Sequence, residues 1–120
     1  SICDTCFENS IDNVVRKLYQ NSKHNSKNYY PETYNLTPSF IIELYNKQEG
    51  KCAYSGEELQ CWNTDKYHKI TLDRIDPNKG YIQDNVCLCT QFVNMMKNNA
   101  TLEQFKQLID NIHTTLHASH

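Results

Sequence analysis

Asp73 and Asn94 are the residues whose types and placing best suit chemistry in this chain. A carboxylate and an amide oxygen are both hard donors. Mg²⁺ or Mn²⁺ takes oxygen ligands and keeps several waters, so two protein ligands suffice. Asp73 ends an alternating stretch, HKITLDRI over residues 68–75, that reads as a strand. Asn94 falls nine residues after Asn85, in the first turns of a helical stretch over residues 90–98. Asn98 follows four residues later and so shares its helix face. A cation held there would polarise a phosphate and stabilise the leaving oxygen while a base activates water. The chemistry suggested is phosphodiester cleavage.

Elements must bring these residues together, and the sequence marks most of them. Asn9 or Ser10 can cap a helix from Ile11, with Val14, Val15 and Leu18 as its apolar stripe. Asn, Ser and Lys then dominate residues 20–28, which reads as a frayed end and a loop, and Pro31 breaks any helix. Thr37-Pro38 starts another helix, with Thr as N-cap and Pro in the first turn, and Gly50 ends it. Residues 51–59 (KCAYSGEEL) read as a hairpin or knuckle around Ser55-Gly56. A loop over 76–84, a second strand over 85–89 and the helix over 90–98 follow. Thr101 to Gln104 matches a capping box. It opens a last helix whose Leu102, Phe105, Leu108, Ile109, Ile112 and Leu116 form one apolar face.

Size and charge bound the answer. At 120 residues, with 38% hydrophobic content, one soluble domain is the default. No apolar run approaches the ~20 residues of a membrane span, and the N-terminus lacks a signal-peptide pattern, so an intracellular protein is expected. Net charge is −2 and the pI about 6.2, which weighs against nucleic-acid binding. Residues 13–30, however, carry Arg16, Lys17, Lys23 and Lys27 with no acid among them. That segment reads equally as a positive face for phosphate or as a solvated helix side. Six cysteines in a chain with no other sign of secretion point to reduced thiols or metal rather than disulfides.

Three pieces of sequence carry a family resemblance: LTPSFIIELYNKQEGKCAYSGEEL, ITLDRIDPNKGYIQDNV and CTQFVNMMKNNATLEQFKQLI. Residues 36–109 resemble the phage and large-DNA-virus branch of HNH endonucleases, most specifically in D-R-I-D-x-x-x-G-Y-x-x-x-N-V followed by N-x-M-K. The resemblance implies a ββα-metal (His-Me finger) fold that cuts DNA with a divalent cation. Carried over, it puts Asp73 and Asn94 on the metal. It makes Asn85 the residue that fixes the inter-strand loop through backbone hydrogen bonds, and Lys97 a basic residue near phosphate. Arg74 falls where most of the family has its general-base histidine.

Arg74 stays protonated at working pH and cannot take a proton from water. It can instead clamp a phosphate and stabilise transition-state charge. The base would then be metal-bound hydroxide or another side chain. His68, on the Arg74 face of an ideal strand, is the nearest histidine, unless it is merely exposed or packed; Asp76 and Thr90 stand behind it. Many relatives also carry two C-x-x-C pairs that bind zinc. Here the first pair is broken at Cys52-Ala-Tyr-Ser55, and Thr90 and Val93 stand at the second pair's offsets. Zinc on Cys3, Cys6, Cys52 and Cys61 is the remaining option, against buried thiols acting as small hydrophobes. Tyr81, Trp62, Met95 and Met96 read as packing, and His113, His117 and His120 as a solvated helix end.

The expected fold is α+β: a small ββα-metal unit with flanking helices. Residues 1–35 form an N-terminal helix and basic connector, and 36–120 the nuclease-like domain. The expected function is a metal-dependent DNA endonuclease, with Arg16, Lys17 and Lys97 on the DNA. The alternatives are a catalytically weak module that binds nucleic acid or serves as part of an assembly, and a zinc-stapled interaction domain.

Overall fold

The computed structural model describes residues 2–60 and 67–118, with side chains from residue 11 onward. In order come α1 (Ile2–Asn25), α2 (Pro38–Lys47), β1 (Ile70–Arg74), β2 (Val86–Thr90), α3 (Gln91–Lys97) and α4 (Leu102–Ala118). Short 3-10 turns occupy Ser26–Asn28, Pro31–Thr33 and Gln83–Asn85. The architecture is mixed α+β, with four helices and one antiparallel two-stranded sheet among the described residues. Among the described residues, no helix is long and apolar enough to cross a membrane.

A two-stranded ribbon is marginal in water by itself, and here helices supply what it lacks. All five residues of β2 are buried, and α1, α2 and α3 all pack on the sheet. Val15, Ile41, Ile70, Leu88, Cys89 and Phe105 lie in the resulting core. The free edge of β2 is closed by a side chain. Gln48 accepts from the Leu88 amide at 3.0 Å and donates to its carbonyl at 2.9 Å, as a neighbouring strand would. The Ala53 amide donates to the same carbonyl at 3.0 Å. That contact ties the knuckle after α2 to the sheet.

Local signals set most helix starts. The Phe40 amide donates to Thr37 Oγ1 at 3.1 Å, capping α2. Thr90 caps α3 through the Val93 amide at 3.3 Å. Thr101 and Gln104 satisfy each other's backbone amides at 3.1 and 2.9 Å ahead of α4. Gly50, at φ +69°, takes the left-handed turn that follows α2.

Two helices differ from expectation. The expected start near Ile11 lies inside α1, which runs from Ile2 and continues through the polar stretch to Asn25. Packing overrides composition there. Ser22 is buried, donates to the Tyr19 carbonyl at 3.0 Å and shares a 2.9 Å hydrogen bond with Tyr34 Oη. Ser26 is likewise buried and donates to the Lys23 carbonyl. In α4, only Phe105 is buried, against Tyr54. Leu108, Ile109, Ile112 and Leu116 of its apolar face are exposed. The radius of gyration, 15.5 Å, exceeds the roughly 14 Å of a compact domain this long.

Candidate metal centre

The strand register decides which side chains meet. Thr71 pairs with Cys89 and Asp73 with Cys87, so these four share one sheet face, with Arg74 on the other. On the first face lies α3, which sends Asn94 and Lys97 down onto the strand. The Asn94 amide donates from Nδ2 to Thr71 Oγ1 at 3.2 Å. Lys97 Nζ approaches Asp73 Oδ2 at 3.2 Å and donates to the Arg74 carbonyl at 3.1 Å.

Among the described residues, Asp73 is held on one oxygen only. Its Oδ2 accepts from Tyr54 Oη at 2.7 Å as well as pairing with Lys97. Among the described residues, no hydrogen-bond partner engages its Oδ1, and none engages the side-chain oxygen of Asn94. Both residues line one polar cleft of about 330 Å³, walled opposite by Asn25, Asn28 and Tyr29 at the end of α1. Asn98 lines it too. The donor set, one carboxylate oxygen and one amide oxygen with room for water, fits a hard cation such as Mg²⁺ or Mn²⁺. It does not fit zinc, which prefers nitrogen and sulfur. The Lys97 ammonium offsets the one negative charge in the set and so weakens any cation held there.

Lys97 corrects an expectation. Its side chain is 0% exposed and that of Asp73 6%. The ammonium therefore serves the carboxylate and a backbone oxygen and is not available to a phosphate. The reason is positional: Lys97 comes one helical turn after Asn94 and faces the strand with it.

Arg74 is also more committed than its expected role as a phosphate clamp requires. Its Nη1 donates to the Pro77 and Lys79 carbonyls at 2.9 and 3.0 Å. The guanidinium lies 3.8 Å from the centre of the Tyr29 ring and 5.6 Å from that of Tyr81. Beside it, Gly80 passes so close that an added Cβ would sit 2.7 Å from the Tyr29 carbonyl oxygen.

Asn85 organises the loop between the strands. Its Oδ1 accepts from the Asp76 amide at 2.9 Å, and its Nδ2 donates to the Asp76 and Gly80 carbonyls at 3.1 and 2.9 Å. His68, expected on the Arg74 face of the strand, precedes β1 and pairs with Glu57 at 2.9 Å. It is thus engaged outside the cleft. Arg16 and Lys17 are exposed on α1, the helix whose end walls the cleft.

Of the zinc candidates, Cys61 lies outside the described residues, as does Trp62, and so do the side chains of Cys3 and Cys6. Cys52 is buried, with the Ser55 amide against its sulfur at 3.5 Å. Among the described residues, no three His, Cys, Asp or Glu side chains cluster as a metal site. Cys52, Cys87 and Cys89 are free thiols. Burial pushes the Cys87 thiol up to about 11, with a hydrogen bond to Tyr54 opposing and the Asp73 carboxylate adding; burial likewise raises Cys89. With Ellman's reagent at pH 8, Cys87 and Cys89 are expected to react only after unfolding. Prompt labelling of either in the native protein, read by mass spectrometry, would contradict this placement.

Tyr54 and Thr71 were not singled out by the sequence. Thr71 had a readable signal, since it stands two residues before Asp73 and shares its strand face. Tyr54 reaches Asp73 from the knuckle, a contact across 19 residues that no local pattern announces.

No family model matches the chain. No solved structure matches it either. The chain is 30% identical over 95 residues to an uncharacterized 29.0 kDa protein of the dda-modA intergenic region of Enterobacteria phage T4. The match covers 78% of this chain and 37% of that protein, so the chain spans little more than a third of its phage relative's length.

Proposed function

We propose that the chain carries an HNH-like ββα-metal unit that hydrolyses phosphodiester bonds in DNA with a divalent cation. One observation carries the reading: Asp73 and Asn94, from a strand and the helix after it, line one polar cleft, each with a side-chain oxygen that no described residue engages. Asp73 and Asn94 would hold the cation, which would supply Lewis-acid polarisation of the phosphate and an activated water. Tyr54 and Lys97 keep Asp73 in place. The Arg74 guanidinium, beside the same cleft, adds positive charge toward a phosphate. Arg16 and Lys17 hold the DNA backbone along α1. The setting is phage or viral and inside the host cell, in keeping with the T4 relative.

A second reading is favoured by a different set of contacts. Lys97 offsets the charge of Asp73, Arg74 cannot act as a base, and His68 is paired with Glu57. These contacts suit a catalytically weak module that binds nucleic acid or serves in an assembly.

Plasmid nicking in Mg²⁺ or Mn²⁺ separates the two. Asn94→Ala is the better paired variant, because Asn94 is part-exposed, whereas Asp73→Ala strands the buried Lys97 ammonium. Metal-dependent conversion of supercoiled to open-circular DNA by the wild type, lost in Asn94→Ala, is the expected result. Equal background from both proteins would end the enzyme reading and leave the second.

A further inference from the structure

We infer that Thr71 is a positioning residue that fixes which end of the Asn94 side-chain amide faces the cleft; the inference rests on the metal-site reading above. A threonine hydroxyl has one proton to give. Thr71 Oγ1 donates to the Cys89 carbonyl oxygen at 3.1 Å, with Cys89 Sγ a further 3.5 Å contact on the same side. With the proton directed there, Oγ1 presents a lone pair to the group 3.2 Å away, and the Nδ2 of Asn94 donates to it. In that arrangement, turning the amide over would set two acceptor oxygens against each other. The chain of donors runs from Asn94 through Thr71 to the Cys89 carbonyl, and it ends on backbone that the β1–β2 ladder holds in register. Its result is that, among the described residues, the oxygen of Asn94, and not its nitrogen, is left without a partner on a side chain lining the same cleft as Asp73. A cation accepts only the oxygen.

A residue that merely packed the strand would be served by any side chain of threonine's shape. A residue that sets the amide's direction needs the hydroxyl. Valine matches the shape and lacks the hydroxyl; serine keeps the hydroxyl and loses the methyl. The experiment is Mn²⁺ titration of the 120-residue chain, read by electron paramagnetic resonance of free Mn²⁺, with thermal melts to show that each variant is folded. Thr71→Val should weaken Mn²⁺ binding about 10-fold, as loss of a partner that orients a metal ligand commonly does. Thr71→Ser should stay near wild type. Asn94→Asp supplies an oxygen at either end, so adding Thr71→Val to it should cost little further affinity. In metal-free protein, the Nδ2 proton of Asn94 held by Thr71 should exchange slowly with solvent, and Thr71→Val should speed that exchange.

Thr71→Val binding Mn²⁺ as tightly as wild type would overturn the inference. So would an equal loss in the Asn94→Asp background, which would mean that Thr71 acts through packing. Failure of the metal-site reading looks different. There the wild type and Asn94→Ala bind Mn²⁺ equally weakly, and the inference falls with the reading.

Discussion

Lys97→Met is expected to lower the unfolding free energy by about 3–5 kcal/mol, the cost of stranding one partner of a buried ion pair. Stability in small domains is only about 5–15 kcal/mol, so this variant is expected to be partly unfolded at 37 °C. Methionine fills much the same volume, which isolates the charge from the packing. Without the ammonium, the Asp73 carboxylate keeps the Tyr54 hydroxyl alone on its Oδ2, and the Arg74 carbonyl loses its donor. The Lys97 side chain is 0% exposed, so water reaches the place of its ammonium poorly even though Asp73 borders the cleft. Urea unfolding at neutral pH measures the loss. Adding Asp73→Asn removes the stranded charge and should recover most of it, since replacing both members of a buried pair is often near neutral. A Lys97→Met cost below about 1 kcal/mol, the level of a solvent-exposed pair, would show that the pair is not buried in solution.

The second large effect falls on the loop between the strands. Asn85→Ala should cost about 1–3 kcal/mol, because it leaves the Asp76 amide without its acceptor and leaves the Asp76 and Gly80 carbonyls only the Lys79 and Ile82 amides. Asn85→Asp should not rescue it. Aspartate can accept from the Asp76 amide but has no proton for the Asp76 and Gly80 carbonyls, and it brings a buried charge. Hydrogen exchange reports the change locally, with the Asp76 amide losing protection ahead of the core amides. Unchanged protection at Asp76 in Asn85→Ala would mean that the loop holds itself.

The caps Thr37 and Thr101 and the alternation of β1 lie within a few residues of what they control. Pattern reading reaches them for that reason, and it reaches the mixed α+β class with its strand–loop–strand–helix order. Asn85 is similar, since its three contacts fall within nine residues. Lys97 lay beyond reach. Sequence places it on the face of α3 that carries Asn94, but whether that face meets a phosphate or a strand carboxylate depends on how α3 sits on β1. Arg74 shows the same limit, because the Tyr29 ring that receives it belongs to the chain ahead of α2. The polar run through Asn25 misled for a related reason: the serines that suggest a loop are satisfied within α1 and against Tyr34.

The contact of Arg74 with Tyr29 and Tyr81, with Gly80 pressed against the Tyr29 backbone, bears on heredity. The seam expected from sequence falls between residues 1–35 and 36–120, with the stretches that carry the proposed resemblance on one side. In space that seam runs through the stack, and one wall of the cleft comes from the stretch carrying no motif. A genetic exchange at the seam would join Arg74 and Gly80 to a foreign partner for which neither the cationic face nor the missing Cβ was selected. The motif is therefore poorly suited to travel as a cassette, and the tract ending at Tyr29 should descend together with it.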